Sequence, residues 1–165
     1  MPIEHLGRTE KIGEGKASEV LQFDRSDKKY ICKVMKENGF AFEHYKGTIE
    51  EKIVSMQKAF VFLKRYLGDY LVDTYFDIGK RSDGAPCILI FQEKVEGTPY
   101  AQLAEEQKPE LRRQKEEIGR ITQKAWMDPE ICNFPFDVQK DLRGEATVED
   151  NIIVDREGKL RVIDW

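Results

Sequence analysis

The sequence predicts an α+β protein: an antiparallel sheet holding one long helix, followed by a second helix and a β-hairpin. Three observations predict it. Short apolar-rich runs parted by glycine or polar turns fill residues 9–35. An apolar ladder stepping by 4, 3, 4, 3, 4 follows, the spacing of one helix face. Near its end the chain has two further short apolar runs around the turn Asp155-Arg156-Glu157-Gly158.

Taken in order, Thr9–Ile12 and Ser18–Phe23 are strands around the turn Gly13-Glu14-Gly15. Asp24–Lys29 is a polar turn, and Tyr30–Met35 is a third strand with Ile31 and Val34 inside. The ladder Ile49, Ile53, Met56, Phe60, Leu63, Leu67 is an amphipathic helix, opened by the capping-box pattern Thr48-Ile49-Glu50-Glu51 and stopped by Gly68-Asp69. Leu71–Ile78 and Pro86–Val95 are strands joined by Arg81-Ser82-Asp83-Gly84. Turn residues collect at Glu96-Gly97-Thr98-Pro99, the expected seam between a sheet lobe (1–95) and the rest (96–165). Pro109–Met127 is a helix with proline in its first turn and Leu111, Ile118, Ile121, Ala125 and Trp126 near one face. Asp128-Pro129 and Phe134-Pro135 break it into a loop, and Asn151–Val154 with Lys159–Ile163 form the hairpin.

Composition narrows the function. The 165 residues are one domain's worth of chain, or a small domain with a satellite lobe. Apolar residues make up 40%, so a core is affordable, and 27 basic against 31 acidic residues leave a net charge of only −4. With the signs interspersed, no nucleic-acid partner is expected. The longest apolar runs, Ala59–Leu63 and Cys87–Phe91, are far too short for a membrane span. Met-Pro-Ile-Glu-His lacks the basic and apolar regions of a secretory signal. Cys32, Cys87 and Cys132 are widely spaced and odd in number, which disfavours a disulfide scaffold or zinc site and suits a reducing cytoplasm.

Four segments carry possible chemistry. Ile12-Gly13-Glu14-Gly15-Lys16-Ala17-Ser18-Glu19-Val20 fits a G-x-G-x-x-G-x-V pattern with Ser18 at the third glycine. Between two strands, such glycines let backbone N–H groups close over a polyphosphate; an ordinary glycine hairpin is the plain alternative. Lys33 lies in an otherwise apolar strand, where burial is costly unless an anion pairs with it; a strand-edge lysine is the alternative. A carboxylate on the following helix is its natural partner. Glu51 is explained by the capping box, which leaves Glu50, although a carboxylate in a first helical turn is also explained by the helix dipole. The strand ending in Gln92-Glu93-Lys94-Val95 runs into a polar connector whose backbone edge suits a flat purine. Asn151 at the mouth of one hairpin strand and Asp164 at the end of the other place an amide and a carboxylate side by side, an oxygen pair suited to a hard cation. A structural Asn cap and a solvated terminal Asp are the alternatives.

In this order the pieces resemble the protein-kinase-like superfamily over roughly residues 8–165. The resemblance implies a kinase-like fold, an antiparallel N-lobe sheet with one long helix and a minimal helical C-lobe with a β-hairpin. Gly13, Gly15, Ser18 and Val20 look like the glycine-rich loop, Lys33 like the phosphate-binding lysine and Glu50 like its helix partner. Glu93–Val95 looks like the hinge against which adenine lies, with Gln92 at the gatekeeper position. Asn151 and Asp164 look like the catalytic-loop Asn and the metal-binding Asp. Val162-Ile163-Asp164-Trp165 and Glu96-Gly97-Thr98-Pro99 look nearer the aminoglycoside/choline-kinase-like branch than protein kinases, which read D-F-G. The cofactors implied are ATP and Mg²⁺, and the acceptor is a hydroxyl of a small molecule or protein.

Two departures stand against the pattern. The family's catalytic Asp lies five residues before the Asn, where this chain has Ala146. Asp141 matches the loop's Asp-Leu but needs a five-residue insertion; Glu145, Glu149 and Asp150 are nearer alternatives. The family's activation segment and most of its helical lobe lie beyond the Asp-Trp position. A truncated product is therefore expected, or a minimal kinase-like protein completed by a protein partner. The readings left open are an ATP-dependent phosphotransferase, a pseudokinase acting as a binding module, and an unrelated non-catalytic α+β domain.

Overall fold

The computed structural model describes residues 9–14, 18–24, 29–35, 45–81, 84–134 and 149–163; for 9–14, 18–24, Lys29 and Asp150 it describes the backbone alone. The chain divides into two compact units, Met1–Phe60 with Asp73–Lys94, and Val61–Val72 with Val95–Trp165.

The first unit is built on a five-stranded antiparallel sheet. Its strands are β1 (Thr9–Glu14), β2 (Ser18–Asp24), β3 (Lys29–Met35), β4 (Thr74–Lys80) and β5 (Pro86–Glu93), in the order β1-β2-β3-β5-β4. Helix α1 (Ile49–Leu67) lies between β3 and β4 in sequence. β5 is an interior strand, which is why Cys87, Ile88 and Leu89 are buried in succession on alternate faces. On one face Cys32, Cys87 and Leu89 form a core cluster with Tyr30, Val34 and Phe91 packed against it. Gly79 is required beside it: a β-carbon there would fall 2.6 Å from Leu89 Cδ1.

The α1 start follows the capping box. Thr48 Oγ1 accepts the Glu51 N–H at 3.2 Å, and the Glu51 carboxylate accepts the Thr48 N–H at 2.8 Å. Met56, Phe60, Leu63 and Leu67 of the ladder are buried, and Ala59 and Phe62 widen the apolar stripe beyond it. Glu50, Val54, Lys58, Val61 and Arg65 form the exposed stripe.

The strand expected at Leu71–Ile78 begins at Thr74 instead. Leu71 and Val72 are fully buried, but their backbone is used in the second unit. Leu71 bridges Val162 in parallel, and the Val72 N–H donates to Val162 O at 3.2 Å. Apolar patterning reported their burial and could not report which strand they pair with.

The second unit holds a three-stranded antiparallel sheet of β6 (Gly97–Pro99), β7 (Ile152–Asp155) and β8 (Leu160–Val162), in that order. The expected turn at Glu96–Pro99 is thus largely an edge strand, paired Gly97↔Asp155, Thr98↔Val154 and Pro99↔Ile153. Proline is tolerated there because an edge strand leaves one side unpaired. Glycine is needed because a β-carbon at Gly97 would overlap the Val154 carbonyl, 2.8 Å from its carbon. The β7–β8 turn forms as the sequence predicts, with Asp155 Oδ1 accepting the Glu157 and Lys159 N–H groups at 2.9 Å and Gly158 at φ +77°. Helix α2 (Lys108–Met127) carries Pro109 in its first turn and buries Ile118, Thr122 and Ala125. In the same unit the Phe62 ring meets Tyr66 and Phe134 with centroids 5.3 and 5.1 Å apart.

The observed class is α+β with antiparallel sheets, as expected. The elements run as three strands, α1, two strands, the short edge strand β6, α2 and the β7–β8 hairpin.

Candidate functional site

Within the first unit the register builds one row across the sheet. Gly13 stands opposite Val20, Val20 opposite Lys33, Lys33 opposite Ile90 and Ile90 opposite Phe76. Directly opposed residues of antiparallel strands share a face, so Gly13, Val20 and Lys33 lie on one side of the sheet. The β1–β2 register slips between Lys11 and Gly13, so the glycine sits at an irregularity beside the turn. Ser18 opens β2 opposite Met35. Gly15 lies outside the described residues.

Lys33 is 9% exposed, with fully buried Cys32 before it on the opposite face. An ammonium so placed demands negative charge or acceptors around it. Glu50 falls in the first turn of α1, on its exposed stripe, and among the described residues no ion pair involves it. Gln92 is buried and donates from Nε2 to Thr74 Oγ1 at 3.1 Å, across the β4–β5 pair. Glu93 closes β5 opposite Tyr30, and its N–H donates to Asp73 O at 3.1 Å. Val95 follows the strand, half-buried. Burial, then the neighbouring Cys87, pushes the Cys32 thiol up to about 12, which keeps it protonated and removes it as a nucleophile.

In the second unit Asn151 ends a 3₁₀ turn, Glu149–Asn151, directly before β7. Its carbonyl accepts the Ile163 N–H at 2.9 Å, continuing the Ile152↔Val162 register by one step. The residue after Ile163 is Asp164, which lies outside the described residues, as do Asp141, Glu145 and Ala146. Among the described residues no group of three or more His, Cys, Asp or Glu is placed to hold a metal. The chemistry of the expected donor pair, an amide oxygen and a carboxylate, fits magnesium.

Three residues of α2 near the hairpin and this turn escape sequence reasoning. Gln114 of α2 donates to Gly158 O at 2.8 Å and accepts the Leu160 N–H at 3.0 Å, clasping the hairpin. Lys115 and Lys108 lie against Glu149, and both stand over buried Tyr100. The Lys115 hydrogen bond holds the Glu149 carboxyl below its ordinary range. No periodicity marks these side chains, which read as ordinary polar positions on a helix.

No protein-family model matches the chain, and no curated protein does. Among solved structures the chain is similar to the crystal structure of aminoglycoside phosphotransferase APH(4)-Ia, at 18% identity and a TM-score of 0.46, over 73% of this chain and 36% of that one. It is also similar to the Cydia pomonella granulovirus kinase PK-1, at 13% identity and a TM-score of 0.47, over 98% of this chain and 52% of that one. The chain therefore spans about a third and about half of the lengths of these two proteins. No helix among the described residues is long and apolar enough to cross a membrane.

Proposed function

We propose that this chain binds MgATP and passes the γ-phosphoryl group to a hydroxyl of a small-molecule or protein acceptor, releasing ADP and a proton. The observation that carries this reading is the row Gly13, Val20, Lys33 on one face of the first sheet, with the lysine buried. Lys33 meets the phosphates there, and Glu50 is the carboxylate proposed to steady it. Gly13, Gly15 and Ser18 supply the backbone over the phosphates, and Val20 the apolar surface beside them. Adenine lies against Glu93–Val95. Residues 1–95 thus carry the nucleotide groups and 96–165 the metal groups. Asn151 and Asp164 hold Mg²⁺, which when bound neutralises phosphate charge. Asp141 is the proposed base, receiving the acceptor's proton. Three free thiols support the reading of a reducing, cytoplasmic setting.

A second reading, a pseudokinase that binds nucleotide or protein without transfer, is favoured by Ala146 at the position where spacing expects the base. Isothermal calorimetry with ATP, with and without Mg²⁺, tests the site. Wild type binds ATP more tightly with magnesium, and Lys33→Met weakens binding at least tenfold while far-ultraviolet circular dichroism is unchanged. Unchanged affinity in Lys33→Met would overturn the nucleotide site. In a double-mutant cycle with Glu50→Gln, strictly additive effects would remove Glu50 from it.

A further inference from the structure

Asn151 takes its place from its neighbours. It is the last residue of the turn Glu149–Asn151, and the first residue of that turn is gripped from α2. Lys115 Nζ lies 3.2 Å from Glu149 Oε1, and Lys108 Nζ lies 3.7 Å from Glu149 Oε2. Lys108 and Lys115 are seven residues apart, two turns on one helix face. Their ammonium groups stand 5.8 and 5.1 Å from the ring centroid of Tyr100, which is buried between the second sheet's first strand and α2 in sequence. Glu105 lies 2.7 Å from Lys108, so the two cations meet two carboxylates and one ring.

Most charge pairs on a helix are solvated and hold nothing. This one differs because its lysine side chains are only 18% and 28% exposed, with an aromatic face against both. On the other side of the turn, the Asn151 carbonyl is bonded to the Ile163 N–H. The backbone of Asn151 is therefore held from α2 through Glu149 and from Ile163, the residue after β8.

We infer that Lys108, Lys115 and Tyr100 form a grip on Glu149 that fixes the Asn151 turn, making Lys115 and Glu149 positioning residues for the metal ligand. This rests on the MgATP reading above. It also commits Glu149, one of the carboxylates near the expected base position, to holding the backbone rather than taking a proton.

The test compares wild type, Glu149→Gln, and the exchanged pair Lys115→Glu with Glu149→Lys. Two quantities are read: the ratio of ATP affinities with and without Mg²⁺, and hydrogen exchange at the Ile163 amide. In Glu149→Gln the magnesium ratio falls and Ile163 exchange rises, each roughly fivefold, what a well-held but partly exposed ion pair is worth. The exchanged pair restores the attraction between positions 115 and 149 but sets a new ammonium beside Lys108 and takes one away from Tyr100, so it recovers only part of both. If Glu149→Gln does not fold, Lys115→Met removes the same pair from the helix side and is read in the same way. A magnesium effect on ATP binding absent from wild type sinks the MgATP reading itself, before any variant is made. A wild-type magnesium effect that Glu149→Gln leaves untouched, or unchanged Ile163 exchange, overturns the grip alone.

Discussion

A single tyrosine shows how local bonding becomes pH dependence. The Tyr66 hydroxyl donates a hydrogen bond to Asp128, whose other oxygen accepts the Glu130 N–H at 2.9 Å and caps the turn Pro129–Asn133. The bond to the carboxylate raises Tyr66 above its usual 10.0, because ionising it would discard the donor and face a charge. The same bond lowers Asp128 below its usual 3.8. The signs then follow from linkage. The Asp128 contribution is present above 3.8 and is lost as pH falls through its depressed folded value. The Tyr66 contribution is present below 10.0 and is lost as pH rises through its elevated folded value. Urea midpoints of wild type and Tyr66→Phe should therefore differ by a constant gap near neutrality, with the wild type the more stable. That gap should narrow in acid and again in strong alkali. A gap that is absent, or that is flat across both limits, would show that the bond contributes nothing to the fold. Lys33 shows the reverse direction of reasoning. Its apolar strand was visible in the sequence and left a strand-edge lysine open; the structure buries it, at 9% exposure, whereas its partner is not written in the strand at all.

At the scale of elements, helix α2 organises the hairpin β7–β8 through one amide side chain. Gln114 both donates to Gly158 O and accepts from the Leu160 N–H, so it satisfies two backbone groups at the hairpin tip. Replacing it with leucine keeps the size and orphans both, including a partly buried N–H. Gln114→Leu should cost about 1–2 kcal/mol in chemical denaturation, against almost nothing for Arg113→Leu, one position earlier on the exposed face. Equal losses in the two variants would reduce the clasp to a surface decoration. Elements of this kind divide what the sequence reveals from what it hides. The α1 ladder, its Thr48–Glu51 cap and the Asp155–Gly158 turn were legible because each is set by local spacing and local hydrogen bonding. Leu71–Val72 and Gly97–Pro99 were not, because their pairing is with chain 54 or more residues away. A short apolar pair announces that it will be buried, and nothing in it says against what. The candidate site follows the same rule: motif order singles out Gly13, Lys33 and Asn151 as candidates, while Lys108, Gln114 and Lys115 engage their neighbours only through tertiary contacts.

At the scale of the whole molecule the question is whether the proposed phosphotransferase keeps a base. Five residues before Asn151 stands Ala146, whose methyl group can neither accept a proton nor orient a hydroxyl. Of the nearer carboxylates, Glu149 is engaged by Lys115 and Lys108, and its carboxyl is held in the charged form by that bonding. A carboxylate so stabilised is a poor proton acceptor, since protonation would discard the ion pairs. This leaves Asp141, Glu145 and Asp150 as the carboxylates to compare, with Asp141 the proposed base because Asp141-Leu142 matches the catalytic-loop pattern. General-base assistance is typically worth about 10²–10⁴-fold in rate, and its loss slows transfer without abolishing nucleotide binding. Asp141→Ala, Glu145→Ala and Ala146→Asp should therefore be assayed together for ATP turnover, with ATP affinity measured on each. On the phosphotransferase reading Asp141→Ala loses about 10²-fold or more in rate at near-wild-type ATP affinity, and Glu145→Ala changes little. An equal loss in Glu145→Ala alone would move the role to that residue. A negligible wild-type rate that rises only in Ala146→Asp would assign the chain to the pseudokinases: the nucleotide would then be bound for the conformation it stabilises, and the alanine would be the lost base itself.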